Sequence, residues 1–314
     1  MKRRNFLRAT ALAAGALSAA QLEAANDITK QWNSKKKSGF TLWQIPSHRN
    51  TIGNSYVMRT SKGKVIVMDG GFPQEELTLR GFIGALGNQV DAWFISHPHD
   101  DHFGALIEIL KNPQHMRIKS IIHSRLPEAV LKAEPQSEKL AREFYTLLQN
   151  LKDTQVFDLQ QPGDVFRYDD MQVKVLGVAN DFTGNPYNNS SMIYRVWDRR
   201  KSILFLGDAG VECGQKALDG PFRSELDCEY IQMAHHGQNG CDEHFYKTVK
   251  FRACLWPTPT WVWNYDQGKG FDTGILKTVE VRKWMEKLGI QEHHTTCIEG
   301  LWQLDGHVRE KVNL

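Results

Sequence analysis

The feature that most constrains this chain is a run of histidines and aspartates, HPHDDH, at positions 97–102. It directly follows an apolar run, so it lies where a buried strand is predicted to end. Three imidazoles and two carboxylates in six residues are costly to hold together unless a cation organises them. Zinc and related divalent metals prefer these ligands. The turn can aim His97 and His99 at one metal ion, and Asp101 and His102 at a second.

Three further motifs place a carboxylate or a histidine at a predicted strand end. Asp69 closes an apolar run and precedes two glycines, Asp208 closes a second run, and His235 and His236 close a third. Alone, each aspartate is also an ordinary turn or capping residue. Together with HPHDDH, however, the motifs resemble the metallo-β-lactamase superfamily. The resemblance extends in the family's order from about residue 40 to about residue 305.

The resemblance implies an α/β fold, an αββα sandwich of two mixed β-sheets flanked by helices. It implies that Asp208 bridges two metal ions and that Asp69 buttresses the metal-binding loop through hydrogen bonds. One histidine of the pair is a further ligand. By analogy with family motifs we choose His235, which leaves His236 able to contact the substrate or donate a proton; His236 is the alternative ligand. The predicted catalytic residues are then Asp101, Asp208 and His236.

The chain departs from the common family pattern at one position. Many members place a third histidine on the first metal, and at the expected place this chain has NNSSMI, at 188–193. This pattern resembles a branch that includes the hydrolase domain of the DNA-uptake competence channel and phosphodiesterases acting on phosphocholine-bearing teichoic acids. The branch implies that Asn188 stands near the first metal in place of the histidine. Asn189 is the alternative, and a plain polar turn is the other interpretation.

The resemblance implies two divalent metal ions as cofactors. Zinc is the first choice, with manganese or iron as alternatives, because histidine and aspartate accept all three. A hydroxide that bridges the ions near neutral pH would be the attacking group. We therefore predict a hydrolase of phosphoric esters or diesters, acting on a small molecule or on part of the cell envelope. The alternatives are an acyl hydrolase of lactones, thioesters or β-lactams, and a non-catalytic metal-binding surface protein.

The N-terminus predicts export. Basic residues at 2–4 precede a short apolar stretch at 9–20 that is rich in alanine, as in a signal peptide. The paired Arg3 and Arg4 resemble a twin-arginine signal. An amphipathic helix or a membrane anchor is the alternative, although the stretch is short for a bilayer. The expected location is periplasmic or secreted. We predict an export signal at 1–25, a linker at 26–39 and a hydrolase domain at 40–314.

The charge of the chain argues against one class of partner. The formal net charge is +3, but residues 1–25 hold four basic residues and one acidic residue, so the remainder is neutral. A neutral chain has no general attraction to nucleic acid or anionic lipid. The five cysteines form no CxxC pair, which argues against a zinc ribbon. No later apolar run is long enough for a transmembrane helix.

Strand and helix patterns alternate along the chain, which favours the α/β class. A proline-containing aromatic segment at 256–265 is predicted either to line the substrate site or to pack in the core. Helices are predicted at 75–86, 104–111, 128–151 and 273–288, and the closing strands at 294–298 and 301–304.

Overall fold

The structure, a computed structural model, describes residues 39–304. The strands are β1 (Phe40–Gln44), β2 (Ser55–Thr60), β3 (Val65–Asp69), β4 (Gln89–Val90), β5 (Ala92–Phe94), β6 (Arg117–Ile118), β7 (Ser120–His123), β8 (Gln155–Asp158), β9 (Val165–Tyr168), β10 (Met171–Gly177), β11 (Ile193–Trp197), β12 (Ser202–Phe205), β13 (Tyr230–Gln232), β14 (Ala253–Trp256), β15 (Glu292–Thr295) and β16 (Trp302–Leu304). The helices are α1 (Glu76–Ala85), α2 (Asp100–Lys111), α3 (Glu128–Leu131), α4 (Pro135–Gln149), α5 (Val211–Asp219), α6 (Glu243–Thr248), α7 (Thr260–Trp263), α8 (Thr278–Lys287) and α9 (Thr296–Glu299).

The strands form two seven-stranded mixed sheets and one small pair, β4-β6. The first sheet has the order β16-β1-β2-β3-β5-β7-β8, and the second has the order β15-β14-β13-β12-β11-β10-β9. Neighbours from β3 to β8 in the first sheet are parallel, as are neighbours from β12 to β15 in the second. Parallel strands present their carboxyl ends at one edge of a sheet, where ligands usually bind. Asp69, the turn at 97–102, Asp208 and the two adjacent histidines all lie at the ends of strands in these two parallel sets, whereas Asn188 lies between the antiparallel strands β10 and β11.

The core has three layers of contact, because successive residues of a strand face opposite sides. In β3, Ile66 and Met68 pack between the two sheets, whereas Val65 and Val67 pack against the helices that cover the first sheet. A third cluster joins the outer face of the second sheet to helices α5, α6 and α8. This arrangement is the predicted αββα sandwich, so the fold-class prediction is confirmed.

Three sequence-based predictions of secondary structure are wrong in detail. The helix predicted at 273–288 begins only at Thr278, as α8. The helix predicted at 128–151 is interrupted between α3 and α4, because Pro135 begins the second helix and disfavours helical backbone in the residue before it. The strand predicted at 294–298 ends at Thr295, and the chain continues as the short helix α9. The break between α3 and α4 matters for the site, since it places Glu134 where its side chain contacts His99.

The predicted export signal at 1–25 lies outside the described residues, as does the predicted linker except for its last residue. The domain predicted at 40–314 is described as far as residue 304. Within the described part, no helix combines the length and the apolar character needed to cross a bilayer.

We predict that Phe94 contributes much of the packing that holds the two sheets together. Its buried ring makes edge-to-face contacts with Phe166, Tyr168 and Tyr194 of the opposite sheet, at centroid distances of 5.5, 6.4 and 5.3 Å. Phe94→Ala should therefore lower the free energy of unfolding by about 3–5 kcal/mol, measured by urea denaturation. Phe271→Ala is the control, because that ring is 60% exposed. A loss under about 1 kcal/mol for Phe94→Ala would contradict the assignment.

Candidate metal centre

Four buried side chains that follow three strands meet at the shared edge of the two sheets. They are Asp101, His102, Asp208 and His236, and one potential ligand atom of each lies within 4.8 Å of the others. Each is at most 4% exposed. Asp101 and His102 belong to the first turn of α2 after β5, whereas Asp208 follows β12 and His236 follows β13. We call this set the four-residue cluster.

A second set of potential ligand atoms belongs to His97 and His99, which we call the histidine pair. Nε2 of His97 lies 3.0 Å from Nδ1 of His99, so the two rings point these nitrogens towards one place. The ring of His97 also lies beside that of His102, with centroids 4.2 Å apart. The histidine pair is therefore next to the four-residue cluster, as the spacing in HPHDDH predicts.

Each imidazole of these two sets uses its other nitrogen to contact an oxygen atom outside the set. Such outer contacts fix the tautomer and the orientation of a metal-binding histidine. The contacts are His97 Nδ1 with Ser96 Oγ (3.1 Å) and Ser191 Oγ (3.3 Å), His99 Nε2 with Glu134 Oε2 (2.9 Å), His102 Nδ1 with Asp69 Oδ2 (2.8 Å), and His236 Nδ1 with the carbonyl oxygen of Pro257 (3.2 Å).

Asp69 lies beneath the metal-binding loop, where the resemblance places a buttress. One carboxylate oxygen accepts the backbone N–H of Ser96 at 2.7 Å. The other accepts the hydroxyl of Ser96 at 2.8 Å and the amide of Asn54 at 2.7 Å, and it also contacts His102. Asp69 is fully buried and has a φ of 57°, an unusual value for aspartate. Its contacts hold the start of the HPHDDH turn and the orientation of His102 together.

The geometry favours the alternative ligand, His236, over the sequence-based choice, His235. His236, not His235, belongs to the four-residue cluster, and its Nε2 lies 3.0 Å from Asp101 and 3.3 Å from Asp208. Nε2 of His235 is 3.7 Å from Asp208, its buried Nδ1 has no hydrogen-bond partner, and its side chain is 18% exposed. Both histidines have positive φ, 52° and 55°, so a left-handed turn, invisible to simple motif spacing, decides which ring points inwards.

The structure also separates the two asparagines that could replace the missing histidine. Both amide atoms of Asn189 have partners, since Nδ2 donates to Gly184 and Glu212 and Oδ1 accepts from the backbone of Cys213. Oδ1 of Asn188 is buried and has no hydrogen-bond partner. A buried amide oxygen without a partner is costly, so Asn188 is the asparagine with an oxygen available for a ligand.

Charge in the centre is balanced between carboxylates and imidazoles. Burial raises the pKa of Asp208, but the imidazoles of His102 and His236 outweigh this effect and hold the pKa well below its usual value. Burial lowers the pKa of His236, but Asp208 and Asp101 outweigh that effect and raise the pKa to about 9. Burial and the neighbouring imidazole of His102 lower the pKa of His97 well below its usual value. The carboxylates therefore require a nearby cation, while His97 is neutral and can act as a ligand.

The donor atoms fit a divalent metal. Nε2 of His102 and Oδ1 of Asp208 lie 3.1 Å apart, yet both are buried without a hydrogen bond. The lone pairs of these two atoms point to the same region but are not aligned with each other. This arrangement suits a cation that both atoms bind. Imidazole nitrogen and carboxylate oxygen are ligands of zinc, manganese and iron.

Apart from Asp69, sequence reasoning missed the residues that make the outer contacts of the centre. Ser96 is adjacent to HPHDDH and is a plausible partner from position alone. Glu134, Ser191 and Pro257 are separated from the histidines they contact by 35, 94 and 21 residues. No spacing rule connects residues so far apart, and only the folded chain brings them together.

The two tryptophans Trp256 and Trp263 of the aromatic segment 256–265 take the core-packing role, one of the two predicted for it. Trp256 is fully buried and packs edge-to-face on Trp263, with centroids 5.2 Å apart, so these rings belong to the core. The residues between them support the centre, because Pro257 contacts the ring of His236 and the hydroxyl of Thr258 donates to its backbone carbonyl. The start of this segment thus holds the left-handed turn in place.

The sequence model of the metallo-beta-lactamase superfamily matches residues 48–285, which is most of the chain. The chain therefore belongs to the metallo-β-lactamase superfamily. The predicted family is confirmed, and with its candidate ligands intact the protein is a metal-dependent hydrolase. No curated protein matches it in sequence.

Solved structures with the same fold share little sequence with the chain. The metallo-beta-lactamase fold protein YhfI from Bacillus subtilis is 12% identical, with a TM-score of 0.52, covering 84% of this chain and 99% of that one. A variant of the CmlA β-hydroxylase is 14% identical, with a TM-score of 0.51, covering 85% of this chain and 54% of that one. At these identities the likeness shows the fold alone.

The two adjacent histidines allow a paired test of the metal ligand. We expect His236→Asn to lose bound metal, with an effect larger than the roughly 10- to 100-fold typical of outer contacts, because it removes an inward nitrogen. His235→Asn should keep the metal. Asparagine is chosen because it tolerates positive φ. Metal content after dialysis measures the result, and loss of metal from His235→Asn alone would contradict the assignment.

Proposed function

We propose that the protein is an exported hydrolase that uses two divalent metal ions to cleave phosphoric diesters. The observation that carries this proposal is the buried, unpartnered Oδ1 of Asn188. Two residues near it in the sequence contact the histidine pair. The ring of Tyr187 stacks on His99, with centroids 5.2 Å apart, and the hydroxyl of Ser191 contacts His97. The amide therefore belongs to the segment that packs on the pair.

A neutral amide in place of a third imidazole suits phosphoryl chemistry. An amide oxygen donates less strongly than imidazole, so an ion held by the histidine pair and Asn188 is more open to substrate oxygens. When bound, a pair of divalent ions lowers the pKa of water and neutralises charge on the attacking and leaving oxygens of an in-line displacement. The four-residue cluster would hold one ion and the histidine pair the other, with the carboxylate of Asp208 shared between them.

The chain's own residues supply binding and proton transfer. Asp101 and Asp208 fix Nε2 of His236 through contacts of 3.0 and 3.3 Å, which leaves His236 no freedom to act on the substrate. The proton-donor role predicted for His236 therefore passes to His235. Its ring is partly exposed at the rim of the centre, 3.7 Å from Asp208, where Nε2 can exchange a proton with a leaving oxygen.

Zinc is the metal we propose, since imidazole and carboxylate ligands in a buried, preorganised site match its usual chemistry. Manganese and iron use the same ligands. The substrate we propose is a small molecule or a component of the cell envelope. Export is supported by the basic start and apolar stretch of residues 1–25.

A substrate panel tests the reaction. We expect the purified protein to hydrolyse bis-p-nitrophenyl phosphate, and a chelator to abolish turnover. Asp208→Ala should lower kcat by roughly a thousandfold, because it removes interactions worth several kcal/mol in the transition state. Asp219→Ala, an exposed aspartate on the following helix, is the matched control. Turnover of nitrocefin or a lactone without phosphodiester cleavage would overturn the proposal. Tight metal binding without any turnover would indicate a non-catalytic protein.

Export is tested with a reporter fused to residues 1–25 in a bacterium that has the twin-arginine pathway. The reporter should reach the periplasm. Replacing Arg3 and Arg4 by lysine should keep it in the cytoplasm, because that pathway recognises the paired arginines rather than their charge. Arg8→Lys is the control, since it changes an arginine outside the pair. A cytoplasmic wild-type fusion would contradict the predicted signal.

A further inference from the structure

The histidine pair has a carboxylate outside it whose role neither the motifs nor the family assigns. Glu134 lies in the break between α3 and α4, and its Oε2 is 2.9 Å from Nε2 of His99. The side chains of the two residues are only 16% and 19% exposed, so water competes weakly for the contact. With Nε2 donating its proton to Glu134, the Nδ1 lone pair of His99 is left to face His97.

The second oxygen of Glu134 reaches the segment that carries Asn188. Oε1 accepts the backbone N–H of Tyr187 at 3.2 Å. The ring of Tyr187 lies nearly parallel to His99, at an interplanar angle of 10°, and its hydroxyl donates to the carbonyl of Leu131 at 2.9 Å. One carboxylate therefore fixes His99 directly and anchors the residue that precedes Asn188.

The arrangement parallels the one around the four-residue cluster. There Asp69 contacts the outer nitrogen of His102 with one oxygen and also binds the loop that carries HPHDDH. Glu134 contacts the outer nitrogen of His99 and also binds the segment before Asn188. In both places a carboxylate contacts the outer nitrogen of an imidazole and also accepts a backbone N–H next to another candidate ligand, since Ser96 precedes His97 and Tyr187 precedes Asn188.

We propose that Glu134 is a positioning residue for the metal ion at the histidine pair. It holds His99 as the Nε2–H tautomer and keeps the Asn188 segment packed on the pair, which has no third imidazole of its own. This inference rests on the proposed pair of metal ions. The inference adds that the binding of one of the two ions depends on a helix junction that lies outside the family motifs.

The test compares the wild type with Glu134→Ala, Glu134→Gln and Glu138→Ala, using Zn²⁺ alone in competition with a chromogenic chelator. Removal of an outer contact typically weakens metal binding by about 10- to 100-fold. We expect Glu134→Ala to weaken one of the two ions by about this factor and to leave the other unchanged. Glu134→Gln should recover most of the affinity, because its amide oxygen still accepts the proton of His99. The visible spectrum of the Co²⁺-loaded protein should change for Glu134→Ala only.

Glu138→Ala is the matched control, because Glu138 lies four residues further along, in the first turn of α4, and pairs with Arg142 on the surface. Equal weakening by Glu138→Ala, or unchanged affinity of both ions in Glu134→Ala, would overturn the inference while leaving the proposed function intact. Weakening of one ion in a protein that does not cleave phosphodiesters would support the inference and overturn the proposed reaction. A wild type that binds fewer than two ions would overturn both.

Discussion

The structure depends on a concentration of buried negative charge at the meeting edge of two sheets. Asp69, Asp101 and Asp208 are each at most 4% exposed, and burial of a carboxylate without a cation is prohibitively costly. In this part of the chain, the positive charge that compensates these carboxylates comes from protons on His102 and His236, or from metal ions in their place. The folded state and the metal centre are therefore coupled, because the ligands that bind a cation are the same groups that need one.

Topology explains how the ligands come from distant parts of the sequence. In each sheet the parallel strands end at one edge, and the sandwich brings the two edges together. Asp69 and the turn at 97–102 come from the first sheet, whereas Asp208 and His236 come from the second. Phe94 is central to this arrangement, since it precedes the turn and packs on three rings of the opposite sheet. Packing between the sheets thus sets the distance between ligands.

The alternation of strand and helix patterns was sufficient to predict the α/β class, and the resemblance of the strand-end motifs to the superfamily implied the sandwich and the convergence of the main ligands. It was insufficient wherever backbone dihedrals or long-range packing decide the outcome. The choice between His235 and His236 depends on consecutive left-handed residues, which motif analogy does not reveal. The contact of Glu134 with His99 depends on a helix break that Pro135 causes, and amphipathic periodicity alone passes through that break.

The histidine pair and the four-residue cluster differ in charge and in exposure. Under the proposed function, this difference gives the two metal positions different roles. The cluster contains two carboxylates and is sealed from solvent, so it should hold its ion more tightly. The pair offers imidazoles and no carboxylate, and the side chain of His99 is 19% exposed, so it is the more accessible side for a substrate oxygen. An open, weakly held ion needs rigid ligands, because binding energy lost to ligand motion is unavailable to the substrate. Outer contacts such as those of Glu134 supply that rigidity without adding another ligand.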